Sequence, residues 1–175
     1  HDELGRAIHP GMSTWEINKL GEEMIRSFGC TPNFLNYNGY PASICVSVNE
    51  EVVHGIPSKK RILKEGDIVS LDAGLIYEGY HSDAARTHAV GEISPEARKL
   101  VEVTRQAFFE GIKYAKAGHH LHEISAAIGA YAESFGYGVV RDLVGHGIGT
   151  HLHEDPAVPN FAQPSRGVRL QPGMT

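Results

Sequence analysis

Apolar residues recur at helical spacing in three stretches of the chain. Ile17, Leu20, Met24 and Phe28 fall at i, i+3, i+7 and i+11, one face of a helix that Thr14 can cap and Gly29 can stop. Residues 121–135 repeat the pattern. Ser94, with Pro95 at the first helical position, opens a third helix that carries Leu100, Val101, Ala107, Phe108 and Ile112 and ends before Gly118. Alternation and β-branched residues predict strands over 43–48, 68–77, 80–90 and 138–144. The apolar helix faces need a sheet to cover, so the class is α+β.

The chain also resembles itself. Displaced by 107 positions, Glu3 falls on Glu110, Gly11 on Gly118, Glu16 on Glu123, Ile17 on Ile124, and Ser27-Phe28-Gly29 on Ser134-Phe135-Gly136. Without gaps, Leu63 then falls on Leu170 and Gly66 on Gly173. Coincidence between two amphipathic helices is the competing explanation; a duplicated unit accounts for more of the identities. The sequence reads as one domain over 1–175 in two similar halves, about 1–92 and 93–175, joined near Gly91 to Ser94.

Composition narrows the chemistry. The 175 residues are 41% hydrophobic and 21% charged, and no apolar run approaches the roughly 18 residues that span a bilayer. A net charge of −5 gives no general attraction to nucleic acid or to an anionic membrane, so the partner is to be sought in a site. Two cysteines, Cys30 and Cys45, make no disulfide framework, and a reducing cytoplasm is the expected location. Eleven histidines turn attention to metal and proton chemistry.

The hairpin over 67–90 carries the strongest local argument. If Glu78 and Gly79 form a two-residue turn, Tyr77 faces Tyr80, Asp83 faces Gly74 and Asp72 faces Ala85. Asp72 and Asp83 then project from one sheet face as diagonal neighbours, with Cβ atoms roughly 7 Å apart or less. Both lie among interior-type residues, Val69, Leu71, Ala73, Leu75 and Ala84, where unpaired charges need a compensating cation. Gly74 would leave room between them. A three-residue loop would instead put the two side chains on opposite faces.

Histidines gather in Gly145-His146-Gly147-Ile148-Gly149-Thr150-His151-Leu152-His153-Glu154-Asp155-Pro156. The glycines flanking His146 allow close backbone approach. His151 and His153, two apart, would share one face of a strand and could bind zinc, but the spacing is weakly specific and His151 reads sooner as structural. His54 follows two valines and precedes Gly55 and Pro57, so it ends a strand and faces a turn. His9, His88, His119, His120 and His122 show no partner pattern and read as surface or packing residues.

Together these segments resemble the type I methionine aminopeptidases, metal-dependent enzymes that remove the initiator methionine. The matching text is Asn38-Gly39-Tyr40-Pro41, Cys45 through His54-Gly55-Ile56-Pro57, Leu71-Asp72-Ala73-Gly74, Ser82-Asp83, Gly145-His146-Gly147-Ile148-Gly149 and His153-Glu154-Asp155-Pro156. The resemblance covers nearly the whole chain. It implies the pita-bread fold of the creatinases and aminopeptidases, two pseudo-symmetric α/β halves, here with the second half incomplete.

The same resemblance implies roles. Asp72 would chelate one metal, Asp83 bridge two, and His146 ligate the other, an oxygen-rich set with one imidazole that suits Co²⁺, Mn²⁺, Fe²⁺ or Zn²⁺. A bridging water would attack the scissile carbonyl, its pKa lowered by metals about 3.5 to 4 Å apart. His153 would hydrogen-bond the scissile peptide and His54 stand near the reacting nitrogen. Tyr37, Tyr40, Cys45 and Leu152 would wall the methionine slot. Leu152 stands where the family often has an aromatic residue, and Phe34 where it often has a cysteine. The substrates implied are N-terminal methionines of peptides and nascent chains, with the ribosome as an implied partner and the complete protein a monomer that binds neither nucleic acid nor membrane.

The family uses five ligands, and three have matches here. At the repeat offset the partner of Asp72 would fall four positions beyond Thr175. The chain therefore reads as truncated at both ends, and residues 1–175 alone are expected to hold at most one divalent ion, weakly, and to be inactive. Two other readings remain: a proline-specific peptidase of the same fold, and a non-catalytic binding relative.

Overall fold

In the computed structural model, which describes residues 1–175, the chain divides into two compact units: residues 1–97 with 150–152, and residues 98–149 with 153–175.

The first unit contains helices α1 (Asp2–Ala7) and α2 (Thr14–Ser27) and strands β1 (Thr31–Pro32), β2 (Ile44–Val48), β3 (Ile68–Tyr77) and β4 (Tyr80–Ala89), with a 3-10 turn at Tyr37–Gly39. Thr14 is the first helical residue of α2; the cap is Ser13, whose side chain accepts from the Glu16 N–H while Glu16 reaches back to the Ser13 N–H. The buried stripe of α2 is Ile17, Gly21 and Ile25, and Phe28 is 66% exposed. Gly21 sets this face, because a Cβ there would lie 2.9 Å from the Ile44 side chain. Asn18, inside the same interface, accepts from the N–H groups of Ser43 and Ile44 at 2.9 and 3.2 Å, which ties α2 to the start of β2.

The sheet is built on β3, which pairs along one edge with β4 and along the other with β2 and β1, all antiparallel. Alternation sorts its two faces. Val69 and Leu71 of β3 and Ile44, Val46 and Val48 of β2 are fully buried with Ile17 in the core under the helices. Cys45 and Ser47 of β2 and Ser70, Asp72 and Gly74 of β3 occupy the opposite face. The β3–β4 turn is the two-residue one, with Glu78 and Gly79 both at positive φ (49° and 84°), and it delivers the predicted register: Tyr77 opposite Tyr80, Gly74 opposite Asp83, Asp72 opposite Ala85.

The second unit contains most of α3 (Pro95–Ile112), then α4 (Leu121–Ser134), β5 (Gly145–Gly147) and β6 (Glu154–Val158). Ser94 caps α3 through its hydroxyl and the Ala97 N–H, and the buried face is Val103, Ala107 and Gly111, while Leu100, Phe108 and Ile112 are largely exposed. The strand expected over 138–144 is absent. Val140, Leu143 and Val144 are exposed and no strand pairs with them, so β propensity finds no ladder there; the paired strand begins at Gly145.

The duplication is visible within each unit separately. Helix α4 begins and ends 107 positions after α2, and in each the glutamate of the first turn, Glu16 or Glu123, reaches back to accept from the N–H of the cap residue, Ser13 or His120. The bridge Ser13–Ile62 is matched by His120–Arg169. The N–H of Gly11 donates to Leu63 O at 2.8 Å, and that of Gly118 to Leu170 O at 2.9 Å. Gly66 and Gly173 share φ near 90°. The bridge repeats although its side chains differ, Ser13 and Ile62 against His120 and Arg169, which coincidence between two helices would not produce.

Candidate metal centre

Asp72 and Asp83 lie on one face of the β3–β4 hairpin, as the register requires, and their carboxyls are hydrogen-bonded. Burial, then the charge of Asp83 and that hydrogen bond, push Asp72 up to about 8. Opposite Asp72 on β2 stands Cys45, 4% exposed, its thiol pushed up to about 11 by burial and the two aspartate charges, against the pull of a hydrogen bond with Tyr40. The Tyr40 hydroxyl is raised as well, by burial first, and it donates to Gly55 O at 2.9 Å with Ile44 O at 3.3 Å. The first unit thus brings Tyr40, Cys45, Asp72 and Asp83 together.

His54 does not end a strand. Strand β2 stops at Val48, Val52 and Val53 are exposed, and His54 sits at φ 58° in an exposed loop. Gly55 pins that loop, since a Cβ there would lie 2.3 Å from Val46 O. Tyr37 is partly exposed on the 3-10 turn and Leu152 is buried. The space beside Gly74 is filled by the Asn33 amide, a residue that no sequence motif singled out.

In the second unit His146 lies on β5 and its ring faces that of His153, centroids 4.2 Å apart. Gly147 allows the close β5–β6 approach, because a Cβ there would meet Asp155 O at 2.4 Å. His151 and His153 do not share a strand face: residues 151–153 bend and precede β6, so the period of two does not apply. His146 Nδ1 lies 2.8 Å from Gly147 O. As that carbonyl can only accept, Nδ1 carries the proton and Nε2 the lone pair, the tautomer a metal ligand needs.

No set of three or more His, Cys, Asp or Glu side chains converges as a ready cage. The donors nevertheless fit a divalent cation. Two half-buried carboxyls on one sheet face are hard oxygen donors, and the burial and neighbouring charge that raise Asp72 would be offset by a bound cation.

The sequence profile of metallopeptidase family M24 matches residues 1–175. The chain is 56% identical over 171 residues to the methionine aminopeptidase of Clostridium acetobutylicum, covering 98% of this chain and 68% of that one. It superposes on the crystal structure of methionine aminopeptidase from Thermotoga maritima with a TM-score of 0.96 at 46% identity, covering 99% and 70%. Against the Xaa-Pro dipeptidase of Bacillus anthracis the TM-score is 0.80 at 31% identity, covering 99% and 46%. The chain belongs to metallopeptidase family M24, in its methionine aminopeptidase branch. Its fold is the family's pita-bread fold and its chemistry that of a metal-dependent aminopeptidase.

Proposed function

We propose that the protein removes the initiator methionine from new polypeptides in the cytoplasm, with Asp72, Asp83 and His146 as ligands for divalent metal and His54 and His153 as the groups that handle the peptide. The observation that carries the reading is the half-buried Asp72–Asp83 pair on one face of the hairpin, with Cys45 and Tyr40 beside it. Divalent ions, when bound, supply a Lewis acid that activates water and polarises the scissile carbonyl. Mn²⁺, Fe²⁺, Co²⁺ and Zn²⁺ all suit two carboxylates and one imidazole.

The chain's own residues account for the rest. Cys45 stays a neutral thiol at physiological pH, so with Tyr37, Tyr40 and Leu152 it offers a soft, polarisable lining to a thioether side chain. The His146 ring, oriented by Gly147 O, presents Nε2, and the adjacent His153 ring donates to or accepts from the peptide. His54, on its exposed loop, is assigned the reacting nitrogen in this proposal.

The likeness to a Xaa-Pro dipeptidase supports a second reading, proline-specific cleavage. Assays on Met-Ala-Ser and Ala-Pro peptides separate the two. The proposal expects methionine release from Met-Ala-Ser by the complete protein, abolished by EDTA and restored by Mn²⁺ or Co²⁺. Cleavage of Ala-Pro alone would replace it with the second reading.

A further inference from the structure

We infer that Asn33 is the positioning residue of the carboxylate pair, a staple that crosses β3 to hold Asp83 beside Asp72; the inference rests on those two residues being the metal ligands. Asn33 follows β1 and its backbone N–H donates to Gly74 O at 3.3 Å. Its side chain then runs over Gly74, on the face that carries Asp72 and Asp83, since a Cβ on Gly74 would point to that face and would lie 2.2 Å from Asn33 Oδ1. On the far side of β3, Asn33 Nδ2 donates to Ser82 O at 3.1 Å, with His81 Nδ1 at 3.4 Å. Ser82 O only accepts, which fixes the amide with its nitrogen toward β4. One side chain therefore links the β1 edge to β4 at the residue preceding Asp83.

Stability alone does not explain this arrangement. Asn33 is 5% exposed, and its Oδ1 is buried with no hydrogen-bond partner. A buried acceptor left unpaired is destabilising, and alanine would remove it. Gly74 is a second cost, since glycine weakens a strand interior and is needed here for the amide to pass. Two unfavourable choices that together fix the strand carrying Asp83 are what a geometric requirement on the carboxylates would impose. The spacing of two oxygens sets cation affinity, and groups that orient ligands act on it without touching the metal.

The test compares the wild-type protein with Asn33→Ala, Asn33→Ser and the double variant Asn33→Ala/Gly74→Ala, in which a methyl group fills the vacated space. Mn²⁺ affinity is read by titration and the fold by melting of the metal-free protein. The staple predicts Mn²⁺ binding weakened by roughly 10- to 100-fold in all three, with the metal-free Tm of Asn33→Ala equal to or above that of the wild type. If Asn33→Ala also melts lower, the double variant decides: Tm recovered with affinity still low supports the staple, and both recovered together overturns it. Affinity within twofold of the wild type in every variant would make Asn33 a structural prop. A wild type that binds no Mn²⁺ would overturn the assignment of Asp72 and Asp83 as ligands, and the staple with it.

Discussion

Asp72 and Asp83 are diagonal neighbours on one face of the β3–β4 hairpin, their carboxyls joined by a hydrogen bond in a largely buried setting. A two-residue turn at Glu78 and Gly79 is what puts them there, since one more loop residue would carry Asp83 to the other face.

The pair makes the metal-free protein sensitive to pH. Asp72 rises from an unfolded value of 3.8 to about 8 in the fold. Between those values the folded state holds a proton that the unfolded chain has lost, so stability is full at low pH and is lost as pH rises through about 8. Melting in EDTA is expected to show a lower Tm at pH 8.5 than at pH 5.5, with that difference reduced in Asp72→Asn. An undiminished difference in the variant would assign the dependence to other groups.

Asn18 predicts a purely structural effect. Its Oδ1 is the acceptor for two buried N–H groups, those of Ser43 and Ile44. Asn18→Ala strands both donors, at about 1 to 3 kcal/mol each. Urea unfolding is expected to show a lower midpoint with an unchanged slope, and a midpoint equal to that of the wild type would contradict the assignment.

How much of this was legible in the sequence follows from where the information lies. The hairpin register was readable because a turn length fixes every later pair, and the helices because their periodicity and stop signals agree. The cap of α2 was misplaced by one residue, since Ser13 and Thr14 are both capping types and only the Glu16 spacing separates them. The strand expected over 138–144 failed because propensity does not reveal whether a partner strand exists. The Asn33 staple was invisible, for it depends on a cross-strand contact over Gly74 that no local pattern encodes; Gly74, opposite Asp83 and read as room between the carboxylates, was the one available signal. The facing of His146 and His153 likewise depends on how β5 and the bend before β6 meet.

His153 is assigned to the peptide and not to the metal. In the complete protein, His153→Ala is expected to lower turnover on Met-Ala-Ser by roughly 10² or more, with Mn²⁺ affinity near that of the wild type. Loss of metal would make His153 a ligand, and unchanged turnover would remove it from the reaction.

The central claim is that the Asp72–Asp83 pair holds the ion on which aminopeptidase activity depends. Isothermal titration of Mn²⁺ into the complete protein and its Asp72→Asn and Asp83→Asn variants tests it most directly, each sample carried afterwards into the Met-Ala-Ser assay. Saturable binding in the wild type, lost together with methionine release in both variants, is the predicted result. Binding of comparable affinity in either variant, or methionine release that persists without it, would contradict the account.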